Sequence, residues 1–288
     1  MTKRLFFIMV LTGVLSYAED KGEDVKEGNL ALPTSQQPVG LFGFGQNIVD
    51  KGDILGYMTM YYQSGRRKKL IDLYPAVLYG ITDRCSLYAS VPVTPKYQED
   101  QDKSSGIEDI FAQIEYLFYK KESPRDALWA SVLGSIELPT GSTKKYPETG
   151  SGSVSFLLGA TLAYWSVEWY WFVSPFAHVT AKHKGTKLGN TFYYQGGVGR
   201  NLVGDPDGWI VTPMIEFFGI LAKHDVLRGQ IDQTSGENAF YVGPTLWTST
   251  KRFVGQAGVL FAIAQKYNKY QYKDKYFFGV TMAWKFNA

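Results

Sequence analysis

From about residue 53 to its end the chain alternates apolar and polar side chains with a period of two, stretch after stretch, and this restricts its fold more than any other feature. The last stretch, KYFFGVTMAWKFNA, sets Tyr276, Phe278, Val280, Met282, Trp284 and Phe286 on one face. Phe277, Gly279, Thr281, Ala283 and Lys285 fall on the other. In IEDIFAQIEYLFYK, Ile110, Ala112, Ile114, Tyr116 and Phe118 oppose Asp109, Gln113 and Glu115. In WYWFVSPFAHVT, Trp171, Val173, Ala177 and Val179 oppose Ser174, His178 and Thr180. A water-soluble domain seldom ends on so large an apolar face, because termini are normally exposed.

Strand-like runs of this kind fall at about 53–63, 69–81, 85–93, 107–120, 127–139, 153–166, 169–181, 189–200, 209–221, 238–248, 253–265 and 274–287. Most reach the ~9–11 residues that a tilted strand needs to cross the hydrocarbon core. Their connections alternate in character. TDR, ESPRD, SVE, GDPDG and STK are short, whereas TPKYQEDQDKSSG, GSTKKYPETGSG and AKHDVLRGQIDQTSG are long and polar. Short periplasmic turns, long external loops and an even strand number define an outer-membrane barrel. The expectation is therefore an all-β chain with a single twelve-stranded antiparallel transmembrane barrel over 51–288, both ends periplasmic. Composition agrees: 16% aromatic residues and 30 glycines coexist with a mean hydropathy of only −0.17. SVSFLLGATLAYWSVEWYWFVSPFA could pass for a membrane helix, but Glu168 would sit at its centre, and two strands joined by SVE suit it better.

The N-terminus reads as a cleaved signal peptide over 1–18. Lys3 and Arg4 precede the apolar LFFIMVLTGVL, and Ser16-Tyr17-Ala18 forms a small-residue cleavage site. Its loss lowers Lys+Arg from 30 to 28 against 27 acidic residues, which leaves no basic stripe for nucleic acid. Cys85 is the only cysteine; it allows no intramolecular disulfide and no N-terminal lipid anchor. Residues 19–50 form an N-terminal periplasmic segment without clear period. Its apolar Leu41, Phe42 and Phe44 would otherwise be exposed, so it is expected to tuck into the barrel mouth as a plug.

All seven tryptophans fall near strand ends on the periplasmic side: Trp129, Trp165, Trp169, Trp171, Trp209, Trp247 and Trp284. They are expected to form a membrane-interface girdle, where amphipathic rings are favoured. On the opposite parity Asp72, Asp109, Gln113, Glu115, Glu137, His178, Glu216 and Lys285 are expected to line the pore. Their carboxylates could hydrate the interior, pair with loop arginines such as Arg66 and Arg67, or form an acidic constriction that disfavours anions.

No catalytic or cofactor signature emerges. ELPTGSTKK lacks the spacing of a phosphate-binding loop, and GGVGRN lacks its strand-to-helix context. His178 and His183 are five apart, on opposite faces if extended, and no metal is expected. Ser174 and His178 share a face but lie roughly 13 Å apart along a strand. A serine on another strand could still meet His178, which leaves a barrel hydrolase as a minor reading.

Taken in order, KGD before the first strand, YGITDRCSLYASVPV, GIEDIFAQIEYLFYK, ELPTGS and ETGSGS resemble the outer-membrane barrel family named for the MetA pathway of phenol degradation. The resemblance covers about residues 50–288. Members often show Gly-x-Gly-Asp at the fourth strand, where this chain has Gly106-Ile107-Glu108-Asp109. The resemblance implies passage of small hydrophobic or aromatic solutes through the outer membrane of a Gram-negative-type cell. It implies no enzyme and no cofactor. Expected partners are outer-membrane lipid, a small-molecule solute and, from the terminal strand, the barrel-assembly machinery. The alternative is a structural or surface-interaction barrel with a closed lumen.

Overall fold

The structure, a computed structural model, describes residues 27–43, 45–267 and 273–287. Residues 1–18, where a signal peptide is expected, and Phe44 lie outside the described residues. The described residues form eighteen strands: β1 (Ile54–Gly65), β2 (Lys68–Thr82), β3 (Cys85–Ser90), β4 (Val93–Glu99), β5 (Asp102–Ile107), β6 (Ile110–Glu122), β7 (Asp126–Leu138), β8 (Ser155–Ser166) and β9 (Trp169–Thr180). They continue with β10 (Thr186–Lys187), β11 (Thr191–Arg200), β12 (Val203–Gly204), β13 (Ile210–Ala222), β14 (Val226–Leu227), β15 (Gln230–Ile231), β16 (Glu237–Ser249), β17 (Phe253–Tyr267) and β18 (Asp274–Lys285).

Sequential strands pair antiparallel, and β1 pairs with both β2 and β18, so the sheet closes. β3 and β4 share one crossing of the wall, as do β5 and β6; β12 adds a two-residue arm beside β13, and β10, β14 and β15 form a separate small sheet. Twelve crossings result. Closure removes the unpaired edges that an open sheet could not leave in lipid.

Polarity is inverted relative to a soluble protein. The outward positions are apolar: Val132 is 45% exposed, Met282 57% and Leu158 64%. Buried positions of the same strands are polar, among them Ser131, Thr161, Gln195, Thr212, Thr245 and Thr281. A chain that buries its hydroxyls and amides while exposing its aliphatics is solvated by lipid outside and lined for polar contact within. No helix among the described residues is long and apolar enough to cross a membrane. SVSFLLGATLAYWSVEWYWFVSPFA forms the β8–β9 hairpin, in register from Ser155 opposite Thr180 to Trp165 opposite Tyr170.

Two expectations need correction. TPKYQEDQDKSSG is not a loop. It forms most of the β4–β5 hairpin, which extends the wall beyond the break at Val91-Pro92, with Glu99 paired to Asp102. Its residues are polar on both faces, so no apolar stripe marked it as strand. The tryptophan girdle is also smaller than expected. Trp169, Trp209 and Trp284 point outward, about half exposed, and Trp171 is partly buried. Trp129, Trp165 and Trp247 are only 8%, 3% and 2% exposed and turn into the barrel. Their parity is that of the inner face, and strand-end position alone does not decide which way a ring points.

Candidate functional site

The barrel is not hollow. Residues 27–43 enter at the turn joining β8 and β9 and climb the lumen, and residues 45–53 descend to the start of β1, so that the direction reverses near Gly43 and Gly45. Asn29 N–H donates to Val167 O at 3.0 Å at entry, and Gly52 N–H donates to Gly80 O at 2.8 Å on the way out. Gly43 and Gly45 have φ of +142° and +96°, which L side chains rarely adopt. The reversal therefore calls for glycine by its backbone conformation, and a Cβ on Gly43 would also have to displace the end of the Gln195 side chain.

An irregular strand inside a barrel carries backbone groups that must find partners. Side chains of the inner wall provide them. Glu216 of β13 accepts from Leu41 N–H at 3.0 Å and Phe42 N–H at 3.1 Å, and from Thr245 Oγ1 at 2.6 Å. On another part of the wall Glu115 of β6 accepts from Gln46 N–H at 3.0 Å, Asn47 N–H at 2.9 Å and Ser131 Oγ at 2.5 Å. Both glutamates are 1% exposed. The segment's carbonyls are met as well: Ser249 Oγ donates to Gln36 O, Trp165 Nε1 to Pro38 O and Gln256 Nε2 to Val39 O. The inward tryptophans thus form a floor: Trp129, Trp165 and Trp247 belong to one cluster with Leu30, Ala31, Leu32 and Ile48.

The other inward residues are also engaged. Glu137 Oε2 meets His178 Nε2 at 3.0 Å. Ser174 Oγ donates to Thr161 Oγ1 at 2.8 Å, so it and His178 serve separate contacts. Lys285 Nζ pairs with Asp53 Oδ2 at 2.7 Å, where the inner segment joins β1. Asp109 does not face an open lumen. It receives Gly141 N–H at 2.9 Å and Ser151 N–H at 2.8 Å, and so holds the loop after β7. Asp72 Oδ1 accepts from Thr94 Oγ1 at 2.8 Å, and the same hydroxyl lies 2.6 Å from Glu108 Oε1. The acidic side chains expected to constrict a pore therefore mostly bind backbone or hydroxyl donors. No group of three or more potential metal ligands occurs among the described residues.

Beside the reversal lies a cavity of about 290 Å³. The inner segment bounds it through Leu41, Phe42 and Asn47. The wall contributes Tyr57, Thr59 and Tyr61 of β1, Asp72 and Tyr74 of β2, Tyr88 of β3, and Phe111 and Gln113 of β6. Phe218, Gln256, Leu260, Phe277 and Thr281 complete the lining. Its rings are in mutual contact: Tyr88 and Phe111 have centroids 5.6 Å apart, Tyr61 and Tyr74 5.6 Å, Phe42 and Tyr61 5.7 Å. Further along the inner wall Asp274 Oδ2 accepts from the hydroxyls of Tyr241 and Tyr267, each at 2.8 Å. Of the lining, sequence reading identified Asp72 and Gln113 on the wall, Leu41 and Phe42 in the inner segment, and the inward face of the last strand with Phe277 and Thr281. The tyrosines were missed, although Tyr57, Thr59, Tyr61 and Gln63 keep the inward parity of β1.

Comparison with known proteins fits this architecture. A crystal structure of the COG4313 outer membrane channel from Pseudomonas putida F1 superposes with a TM-score of 0.65 at 14% identity, covering 87% of this chain and 99% of that one. The NanC porin (TM-score 0.48, 9% identity, 81% and 100% coverage) and the CymD monoaromatic hydrocarbon channel (0.37, 9%, 92% and 99%) are more distant. No curated protein matches by sequence. The closed barrel with its apolar exterior is an integral outer-membrane protein. The model of the family described as "Putative MetA-pathway of phenol degradation" matches residues 41–286, and the chain belongs to that family.

Proposed function

We propose that the barrel passes small apolar or aromatic solutes across the outer membrane, along the aromatic cavity beside the inner segment, and that this segment acts as a plug that narrows the lumen. The observation that carries the reading is the cavity itself: about 290 Å³, ringed by contacting aromatic side chains inside a closed wall. Pockets of this kind, mostly apolar with a few placed polar groups, bind small organic molecules. The family's phenol-degradation description and the fold shared with the Pseudomonas outer membrane channel support it. The reading needs no catalytic group.

The test is uptake of benzyl alcohol into liposomes bearing the refolded barrel, with folding checked by heat-modifiable gel migration. Faster entry than into protein-free liposomes is expected, and a further increase when residues 19–46 are deleted. Equal entry with and without protein would reject the channel. Entry unchanged by the deletion would reject the plug.

A second reading, a closed barrel with a structural role, draws on the hydrogen bonds that tie the inner segment to the wall at Glu115 and Glu216. It predicts no uptake by the intact protein and no conductance in planar bilayers.

A further inference from the structure

Three exposed lysines stand together on the outer face of the wall: Lys69 of β2, Lys96 of β4 and Lys103 of β5. Lys69 is registered opposite Gln98 of β4, Gln98 opposite Lys103, and Lys96 opposite Ile71. With neighbouring strands about 4.8 Å apart, Lys69 and Lys103 lie roughly 10 Å from one another across Gln98. Lys96 is two residues along on the strand between them. Flexible four-carbon stems let three ammonium groups gather from such positions on one anionic group.

No carboxylate answers them. Neither these lysines nor the exposed Arg66 of the β1–β2 turn forms an ion pair among the described residues. The outward positions of β2, β4 and β5 carry no Asp or Glu. The acids at the tip of the β4–β5 hairpin are placed otherwise: Asp100 pairs with Arg67 at 3.1 Å, and Glu99 and Asp102 oppose one another on the inner parity. The opposite rim differs. There Lys120 meets Glu122, Arg200 meets Glu168 and Lys251 meets Asp207, at 2.8–3.5 Å.

Position identifies the source of the missing anion. Nearer the membrane, Leu73, Val93 and Ile107 are registered side by side on the same face of the same three strands, and Ile107 is 53% exposed. The lysines stand immediately beyond this apolar row, on the rim of the long connections, which faces the outside. Lipid headgroups occupy that depth, and basic side chains beside a membrane-spanning wall bind the anionic ones.

We infer that Lys69, Lys96 and Lys103 form a docking site for a phosphorylated glycolipid headgroup of the external leaflet, whose acyl chains lie along Leu73, Val93 and Ile107. The site is on the outside of the wall and is independent of what crosses the lumen. Each basic side chain near such a headgroup is worth about fivefold in affinity, and three together about a hundredfold.

The experiment is thermophoretic titration of the labelled full barrel in nonionic detergent, with bisphosphorylated lipid A and with the same lipid A stripped of phosphate as probes. The wild-type protein is expected to bind the phosphorylated lipid about a hundredfold more tightly, and added salt should narrow the difference. Combining Lys69→Gln, Lys96→Gln and Lys103→Gln should remove most of that preference. Combining Lys182→Gln, Lys184→Gln and Lys187→Gln, at exposed positions of the β9–β11 connection, removes the same charge and should leave it in place. Folding of both variants is checked by heat-modifiable gel migration. Equal affinities of the wild type for the two lipids overturn the inference, whether or not the variants fold. So do equal losses in the two triple variants, the result expected if net charge alone attracts the lipid.

Discussion

Truncating Glu216 to alanine should free the apex of the inner segment while leaving its ends in place. The carboxylate receives two backbone N–H groups, from Leu41 and Phe42, at 3.0–3.1 Å. With the acceptor gone both donors remain in the barrel unpaired, each costing about 1–3 kcal/mol. The penalty is then about 2–6 kcal/mol for the two donors, set against the docked apex alone. About 3 kcal/mol of it, at 1.4 kcal/mol per tenfold, raises the open population of that stretch about a hundredfold. Asn29 N–H to Val167 O, Gln256 to Val39 O and Val49 N–H to Ser86 Oγ do not involve Glu216 and should hold. Amide hydrogen exchange reads this directly, because local opening sets the rate. Peptides spanning 40–47 should exchange about a hundredfold faster in Glu216→Ala, whereas those around residue 29 keep the wild-type rate. Glu216→Gln retains an acceptor oxygen and should fall between. Unchanged exchange at Leu41 and Phe42 in a folded barrel would refute the clamp. Equal acceleration at Asn29 would refute its local character.

Three further outcomes follow from the inverted polarity and the buried ion pair. Val132, midway along β7 and 45% exposed, faces lipid, so Val132→Arg should cost about 2–4 kcal/mol in a urea titration of the barrel in vesicles; an unchanged midpoint would contradict the outward placement. Trp165→Ala removes a buried floor ring and its bond to Pro38 O and should cost about 3–5 kcal/mol, whereas Trp169→Ala on the outer face should cost less; equal losses would contradict the correction to the girdle. Lys285→Met leaves Asp53 buried without its partner and should cost about 3–5 kcal/mol. Adding Asp53→Asn should restore much of that, and strict additivity of the two changes would show the pair to be uncoupled.

Much of the wall was legible because a transmembrane strand obeys one rule over its whole length. Period-two alternation between lipid and interior locates each crossing, and it divided SVSFLLGATLAYWSVEWYWFVSPFA correctly into two strands. Where a strand leaves the membrane the rule lapses. β4 and β5 meet water or polar groups on both faces, so TPKYQEDQDKSSG carried no stripe and read as loop. The tryptophan error is of another kind, for the signal was present. Val132 and Leu246 are outward, so Trp129 and Trp247, an odd number of residues away, must be inward. Applied to β9, the same parity puts Trp169 and Trp171 on the side of Val173. The partners of the inner segment could not be read at all. Leu41 and Glu216 are separated by 175 residues, and only the closed barrel brings them together.

That separation explains why the inward glutamates suggested a selectivity field. A carboxylate on the inner parity of a barrel has two uses, and sequence alone does not distinguish them. It can face water and act on passing ions, or it can bind the orphan N–H groups of a segment threaded through the lumen. Glu115 and Glu216 do the second: two backbone donors and one hydroxyl for each carboxylate occupy acceptor sites that a permeant cation would need. Both carboxyl groups are thus committed to fixed donors of the inner segment and wall, which weakens their action on anything passing nearby. What remains to discriminate between solutes is the cavity wall, where contacting rings select for shape. Selectivity in this barrel should therefore follow solute shape and ring size more than ionic charge, and reversal potentials should shift little with Glu115→Gln.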